Sequence, residues 1–169
     1  YMVNRLQTAA KLPDPVGEVL EERIMSSGLQ VRKVSVPIGV LAMIYEARPN
    51  VTFDVFSLCV KAGSACLLKG GSDARDTNEC SVAIIRQVLA DNGFDENTVT
   101  LSPTSREATA EMLAAVGKVD LIIPRGSKQL IDFVRDNSRV PVIETGAGVC
   151  HTYLHQSGLI EYAREIVLN

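Results

Sequence analysis

Val36-Pro37-Ile38-Gly39-Val40-Leu41-Ala42-Met43-Ile44-Tyr45 is a continuous apolar run, and the polar turn Glu46-Ala47-Arg48-Pro49-Asn50 follows it. A strand with one wet face alternates apolar and polar side chains. This run does not alternate, so it suits a strand buried on both faces, as in a parallel sheet. It is also far shorter than the roughly 20 residues that cross a bilayer as a helix. Parallel neighbours cannot be joined by a tight turn and need a crossover, usually a helix. The chain downstream supplies such helices. Residues 52–62 carry Phe53, Phe56, Leu58 and Val60 at helical spacing, and Gly63 stands where a helix stops. Ala65-Cys66-Leu67-Leu68 reads as a second strand that ends in Lys69-Gly70-Gly71-Ser72.

The alternation continues. Residues 78–90 form an amphipathic helix closed by Asn92-Gly93, and residues 98–101 a third strand. Residues 105–116 form a helix capped by Ser105 or Thr104, with Glu107 in its first turn. A fourth strand spans 119–123, and Pro124-Arg125-Gly126-Ser127 turns into a helix over 128–135. Residues 140–143 give a fifth strand, 151–154 a candidate sixth, and 159–168 a last helix. Upstream, Leu12-Pro13-Asp14-Pro15-Val16-Gly17 bars a helix interior. Residues 1–30 therefore read as the tail of a helix, a connector and an edge segment, with an edge strand near 30–36. The α/β domain is placed at 31–169. The pattern predicts an α/β, mostly parallel, doubly wound sheet of Rossmann-like type, with ligands outside the carboxyl ends of the strands.

Composition excludes other classes. The chain has 169 residues, 46% hydrophobic and 22% charged, as a globular domain does and a disordered one does not. Its net charge is −3 and no basic stripe stands out, which argues against nucleic acid as a partner. No apolar stretch has the length of a membrane span, and nothing at the start reads as a signal peptide. The four cysteines, Cys59, Cys66, Cys80 and Cys150, have no zinc-ligand spacing. No metal site is expected. Cys59, Cys66 and Cys80 fall in apolar periodic segments, so buried free thiols in a reducing cytoplasm are expected. The first residue is Tyr1 and residues 159–168 read as an unfinished helix, so a piece of a longer chain is expected.

Three strand-end turns carry candidate chemistry. Lys69-Gly70-Gly71-Ser72 lets backbone approach a ligand and adds a point charge, which suits a phosphate or a ribose, or forms a plain tight turn. Arg125-Gly126-Ser127 opens a helix, whose free N–H groups favour an anion such as a pyrophosphate, or is an ordinary N-cap. In Glu46-Ala47-Arg48-Pro49-Asn50, Arg48 can clamp a carboxylate or phosphate and Asn50 can donate to an oxyanion or cap a helix. Gly146-Ala147-Gly148-Val149-Cys150-His151 lacks the third glycine and the following helix of a dinucleotide fingerprint, and there is no P-loop. Cys150 and His151 are adjacent on a strand-like segment and point to opposite faces, which removes a direct nucleophile pair.

Read in order, Val36-Pro37-Ile38-Gly39-Val40, Ile44-Tyr45-Glu46-Ala47-Arg48-Pro49-Asn50-Val51, Lys69-Gly70-Gly71, Ile122-Ile123-Pro124-Arg125-Gly126-Ser127 and Gly148-Val149-Cys150-His151-Thr152-Tyr153 resemble the γ-glutamyl phosphate reductase family. Leu12-Pro13-Asp14-Pro15-Val16-Gly17 matches its approach segment, so the resemblance covers essentially the whole chain. It implies the aldehyde dehydrogenase superfamily and NADPH-dependent reduction of L-glutamyl 5-phosphate to L-glutamate 5-semialdehyde, with release of phosphate, in proline biosynthesis. A cysteine thiolate attacks the acyl phosphate in that chemistry, and hydride reduces the resulting thioester. Lys69, Gly70, Gly71 and Ser72 then meet the adenosine ribose, with Lys69 also available to the 2′-phosphate. Arg125, Gly126 and Ser127 lie beneath the pyrophosphate. Glu46, Arg48 and Asn50 border the substrate. Glu144, in Glu144-Thr145-Gly146-Ala147-Gly148, resembles the superfamily's general-base glutamate. None of the four cysteines matches the family's Cys-Asn block, which the resemblance places beyond Asn169, so this chain alone is expected to be inactive. The resemblance also implies a homo-oligomer, association with a glutamate 5-kinase, as a fused or separate unit, and a cytoplasmic location. The competing reading is a non-catalytic nucleotide-binding module of the same fold. Oxidation of a free aldehyde fits less well, because such enzymes usually carry a Pro-Trp-Asn-type turn at 46–50.

Overall fold

Val40–Tyr45 is the inner strand on which the sheet is built: Leu41, Ala42, Ile44 and Tyr45 are all buried, so both of its faces are covered. In the computed structural model, described for residues 2–46, 50–145 and 151–168, the elements run α1 Met2–Lys11, β1 Val19–Ile24, β2 Gln30–Val34, β3 Val40–Tyr45, α2 Asn50–Lys61, β4 Ala65–Lys69, α3 Arg75–Asp91, β5 Val99–Leu101, α4 Arg106–Leu113, β6 Leu121–Arg125, α5 Lys128–Asn137 and α6 Ile160–Leu168. Strands β3 to β6 form a four-stranded parallel sheet in the order β5-β4-β3-β6. Leu41 sits level with Cys66 on one side and Leu121 on the other, and Ala42 with Leu67 and Ile122.

That register sorts the side chains into two cores. Leu41, Tyr45, Cys66, Leu68 and Leu121 pack with Val55 and Cys59 of α2 and with Val82, Ile85 and Leu89 of α3. Ala42, Ile44 and Ile122 pack with Met112 and Leu113 of α4 and Val134 of α5. Helices therefore cover both faces, as expected for a doubly wound sheet. From β3 the chain steps outward through β4 to β5, then returns across to β6 on the opposite flank of β3. The carboxyl ends of β3 and β6 are thus the point where the winding reverses, and a crevice opens there.

Local signals explain the element ends. Ser105 and Ser127 each accept an N–H of the following first turn, from Ala108 at 3.1 Å and Leu130 at 3.4 Å. Gly63 ends α2 at φ +65°, a left-handed conformation that suits glycine.

Several expectations are corrected. The stretch read as a connector between the helix tail, now α1, and the edge strand, now β2, holds a further strand, β1, which pairs antiparallel with β2. The sequence does not reveal β1 because every residue of that strand is exposed and no alternation marks it. The inner strand starts at Val40, after Pro37 and Gly39. Residues 140–143 make only one bridge, Val142 to Ile122, because Pro141 has no N–H to extend a ladder. Residues 151–154 have no regular structure. Cys59 and Cys66 are buried, but Cys80 is exposed on α3. Cys150 lies outside the described residues.

Ile122 is fully buried, level with Ala42 of β3 and bridged to Val142. Ile122→Ala is expected to lower unfolding free energy by about 2–5 kcal/mol in urea denaturation, whereas Ile84→Ala, half exposed on α3, should stay within about 0.5 kcal/mol. Maleimide labelling read by peptide mapping should modify Cys80 in the native state, and Cys59 and Cys66 only after unfolding.

Candidate functional site

The crevice between the ends of β3 and β6 is a cavity of about 460 Å³ lined in part by Tyr45, Glu46, Arg125, Gly126 and Ser127. Glu46 leaves β3 and turns its carboxylate onto the start of α5. The Ser127 backbone N–H donates to Glu46 Oε2 at 3.1 Å and the Ser127 hydroxyl to Oε1 at 2.8 Å. This is an anion held by unpaired N–H donors at the positive end of a helix dipole. Gly126 allows it, since a Cβ there would lie 2.7 Å from the Glu46 carboxyl carbon. Arg125 Nη1 donates to Thr145 Oγ1 at 3.4 Å across the mouth of the crevice.

The Lys69 turn lies at the end of β4. Lys69 Nζ donates to the Thr104 carbonyl at 3.4 Å, which ties β4 to the loop before α4. Partial burial pulls the Lys69 ammonium below its ordinary pKa, so a nearby anion would relieve a real electrostatic cost. A Cβ on Gly70 would collide with the Asn78 amide, so only glycine fits the turn as packed. Gly71 precedes a short 3₁₀ turn over Ser72–Ala74, and the Ser72 hydroxyl donates to Asp73 Oδ1 at 3.3 Å.

A buried polar chain supports this turn from below. The Thr52 hydroxyl donates to Asn78 Oδ1 at 2.9 Å. Its single proton is thereby used, so the Tyr45 hydroxyl is the donor in the 2.8 Å contact between Tyr45 and Thr52. Burial pushes the Tyr45 phenol above its ordinary pKa and keeps it protonated for that bond. Thr52 and Asn78 are almost completely buried, at 0% and 1% exposure. The sequence reading missed the trio because Thr and Asn within helical segments resemble ordinary polar positions.

The remaining predicted residues divide. Asn50 begins α2 and its amide donates to Asp54 Oδ2 at 3.3 Å; Asp54 in turn binds Arg5 at 2.9 Å. Glu144 Oε1 accepts from Arg135 Nη1 at 3.4 Å, and its buried Oε2 has no hydrogen-bond partner among the described residues. Arg48 lies outside the described residues. Among the described residues there is no cluster of His, Cys, Asp or Glu able to hold a metal, and no helix is long and apolar enough to cross a membrane.

Comparison with known proteins agrees with the motif order. A γ-glutamyl phosphate reductase of Chlorobium chlorochromatii is 57% identical over 97% of this chain. The chain is similar to one part of the γ-glutamyl phosphate reductases. It spans 39% of that relative's length. A γ-glutamyl phosphate reductase of Parabacteroides distasonis is 58% identical over 97% of this chain and 40% of its own. The crystal structure of the Thermotoga maritima γ-glutamyl phosphate reductase superposes with a TM-score of 0.86 at 41% identity, over 99% of this chain and 41% of that one. The fold is shared more widely: a propionaldehyde dehydrogenase of Rhodopseudomonas palustris gives a TM-score of 0.68 at 24% identity, over 86% of this chain and 34% of that one. No protein-family model matches the chain.

Thr52→Val keeps shape but strands the Tyr45 hydroxyl and Asn78 Oδ1 without partners. It should cost about 2–4 kcal/mol by urea denaturation, and Thr52→Ser should cost less than half of that.

Proposed function

We propose that this chain is the dinucleotide-binding part of a γ-glutamyl phosphate reductase, an oxidoreductase of proline biosynthesis that reduces L-glutamyl 5-phosphate to L-glutamate 5-semialdehyde and releases phosphate with NADPH. The observation that carries the reading is the carboxylate held on the start of α5 at the reversal of the sheet. It supports an anion site where a doubly wound sheet takes a cofactor's pyrophosphate. High similarity to named reductases over nearly the whole chain supports the choice of reaction.

The residues present fit the dinucleotide at two places. Gly70 borders a cavity next to the Lys69 turn, where this reading puts the ribose, and Arg125, Gly126 and Ser127 offer donors and charge for a pyrophosphate. When bound, the nicotinamide supplies the hydride. Lys69 and Ser72 hold the adenosine ribose, with Lys69 also serving the 2′-phosphate. By the family resemblance, Glu46, Arg48 and Asn50 border the substrate, and Arg48 pairs with an anionic group of the substrate. Glu144 stands in the general-base region. The nucleophilic thiol is none of the four cysteines, so the chain by itself binds cofactor without turnover. Solved structures of this fold include an engineered glycolyl-CoA reductase with bound NADP+, which supports a nicotinamide cofactor. A cytoplasmic homo-oligomer that works beside a glutamate 5-kinase completes the reading. No helix of membrane-spanning length is found among the described residues, as suits small charged substrates.

The pyrophosphate and the Glu46 carboxylate compete for the same Ser127 donors, so binding displaces Glu46. Glu46→Gln removes a charge from that site and should tighten NADPH binding about three- to tenfold in a fluorescence titration. Weaker binding by Glu46→Gln would reverse the assignment and make Glu46 a support of the cofactor site. Absence of dinucleotide binding by wild-type protein would end the cofactor reading.

A further inference from the structure

Two thiols that the cofactor reading leaves unused lie side by side in the core. Cys59 is in the last turn of α2, and Cys66 is the second residue of β4. The chain between them reverses tightly. The Ala62 and Ser64 N–H groups both donate to the Cys59 carbonyl, at 3.1 and 2.9 Å, and Gly63 takes the left-handed conformation between them at φ +65°. Strand register then turns Cys66 toward α2. It sits level with Leu41, and both belong to the sheet face that packs on Val55 and Cys59. The two cysteines are buried, at 7% and 2% exposure. Their side chains meet: the Cys66 thiol donates to the Cys59 sulfur, which holds the Cys59 thiol below its ordinary pKa, while the same bond and burial push Cys66 up. Burial by itself raises a thiol's pKa and leaves it inert. Here one sulfur gains thiolate character, and the one against it keeps its proton.

An attacking cysteine and a resolving cysteine are arranged in this way. Hydrogen peroxide is little larger than water, so the exposure left to Cys59 admits it, whereas a maleimide is excluded. We propose that Cys59 and Cys66 form a reversible oxidation site, at which a hydroperoxide converts the two thiols into a disulfide between α2 and β4. In the first step the Cys59 thiolate attacks a peroxide oxygen and becomes a sulfenic acid. The O–O bond breaks, and the leaving hydroxide takes up the proton that Cys59 gave up. In the second step the Cys66 sulfur attacks the Cys59 sulfur. The S–O bond breaks, and water leaves with the Cys66 proton. Two electrons pass from the thiol pair to the peroxide, and hydrogen peroxide yields two waters for each disulfide. A dithiol reductant reverses the change by thiol–disulfide exchange. The bond fastens α2 to β4, whose other ends carry Asn50 and the Lys69 turn. The site uses no cofactor and stands independently of the function proposed above.

The test is oxidation of the folded chain with hydrogen peroxide, at a dose that leaves its circular dichroism unchanged, followed by alkylation in urea and tryptic peptide mapping. Lys61 lies between the two cysteines, so trypsin leaves them on separate peptides unless a disulfide joins them. Wild-type protein is expected to lose both alkylatable thiols together and to give the joined peptide as the main oxidised product of Cys59 and Cys66. Dithiothreitol should restore both thiols. Cys80→Ser, on the exposed face of α3, should leave that product unchanged. Cys66→Ala should give no joined peptide and should carry Cys59 on to the sulfinic acid, because a sulfenic acid without a resolving thiol oxidises further. The wild-type and Cys80→Ser maps decide the matter even if the core variant does not fold. If Cys59 and Cys66 still alkylate in full at a dose that oxidises Cys80, the proposal falls. It also falls if wild-type Cys59 reaches the sulfinic acid while Cys66 stays free, or if their disulfides run to Cys80 or Cys150 instead.

Discussion

The structure depends on one strand that has a parallel neighbour on each side and a helical layer on each face. Val40–Tyr45 meets all four demands. Parallel pairing forces every connection through a crossover, and the crossovers put α2 and α3 on one face and α4 and α5 on the other. The polar ends of β3 and β6 are where the winding reverses and a gap opens. The apolar bulk of the chain thereby dictates where its polar chemistry can stand.

At that gap the electrostatics are unusually explicit. The start of α5 presents N–H donors with no partner inside the helix, and Glu46 satisfies them from a different strand. The same interaction closes β3 against β6 and marks the spot as one that prefers negative charge. On the other side of β3, the Tyr45–Thr52–Asn78 chain fixes the floor under the Gly70 turn. Asn78 also contributes to the wall of the cavity beside Gly70, so a buried structural contact and a surface feature share a residue. The two cavities are therefore carried by the same rigid strand ends, at β3 and β6 in one case and β4 and β5 in the other.

Much of the architecture was legible beforehand. The apolar run at 36–45, the Gly63 stop and the two serine caps at 105 and 127 located four parallel strands and the four helices around them. These signals are local: burial on both faces leaves a continuous apolar run, and a cap needs only a side chain three residues from the N–H it accepts. The edge strand near 30–36 was legible as β2, but its partner β1 carried no such mark, because a strand exposed on both faces has no apolar side to reveal its period. Cys80 misled for a related reason. It lies in a helix with apolar periodicity, yet its own position falls on the outer side. For the site, the three strand-end turns were readable as turns, but the partners of their side chains were not.

The sequence by itself determined the alternation of strands and helices, the turns at the strand ends and the likeness to the reductases, because each is written in contiguous residues. Only the tertiary structure decided that Glu46 lies on Ser127, 81 positions away, that Asn78 sits against Gly70, and that Arg75 shares a wall with Thr104. Such pairings are set by strand order and by the stagger of parallel neighbours. Those follow from how the whole chain buries its two apolar faces together, and no local pattern records them.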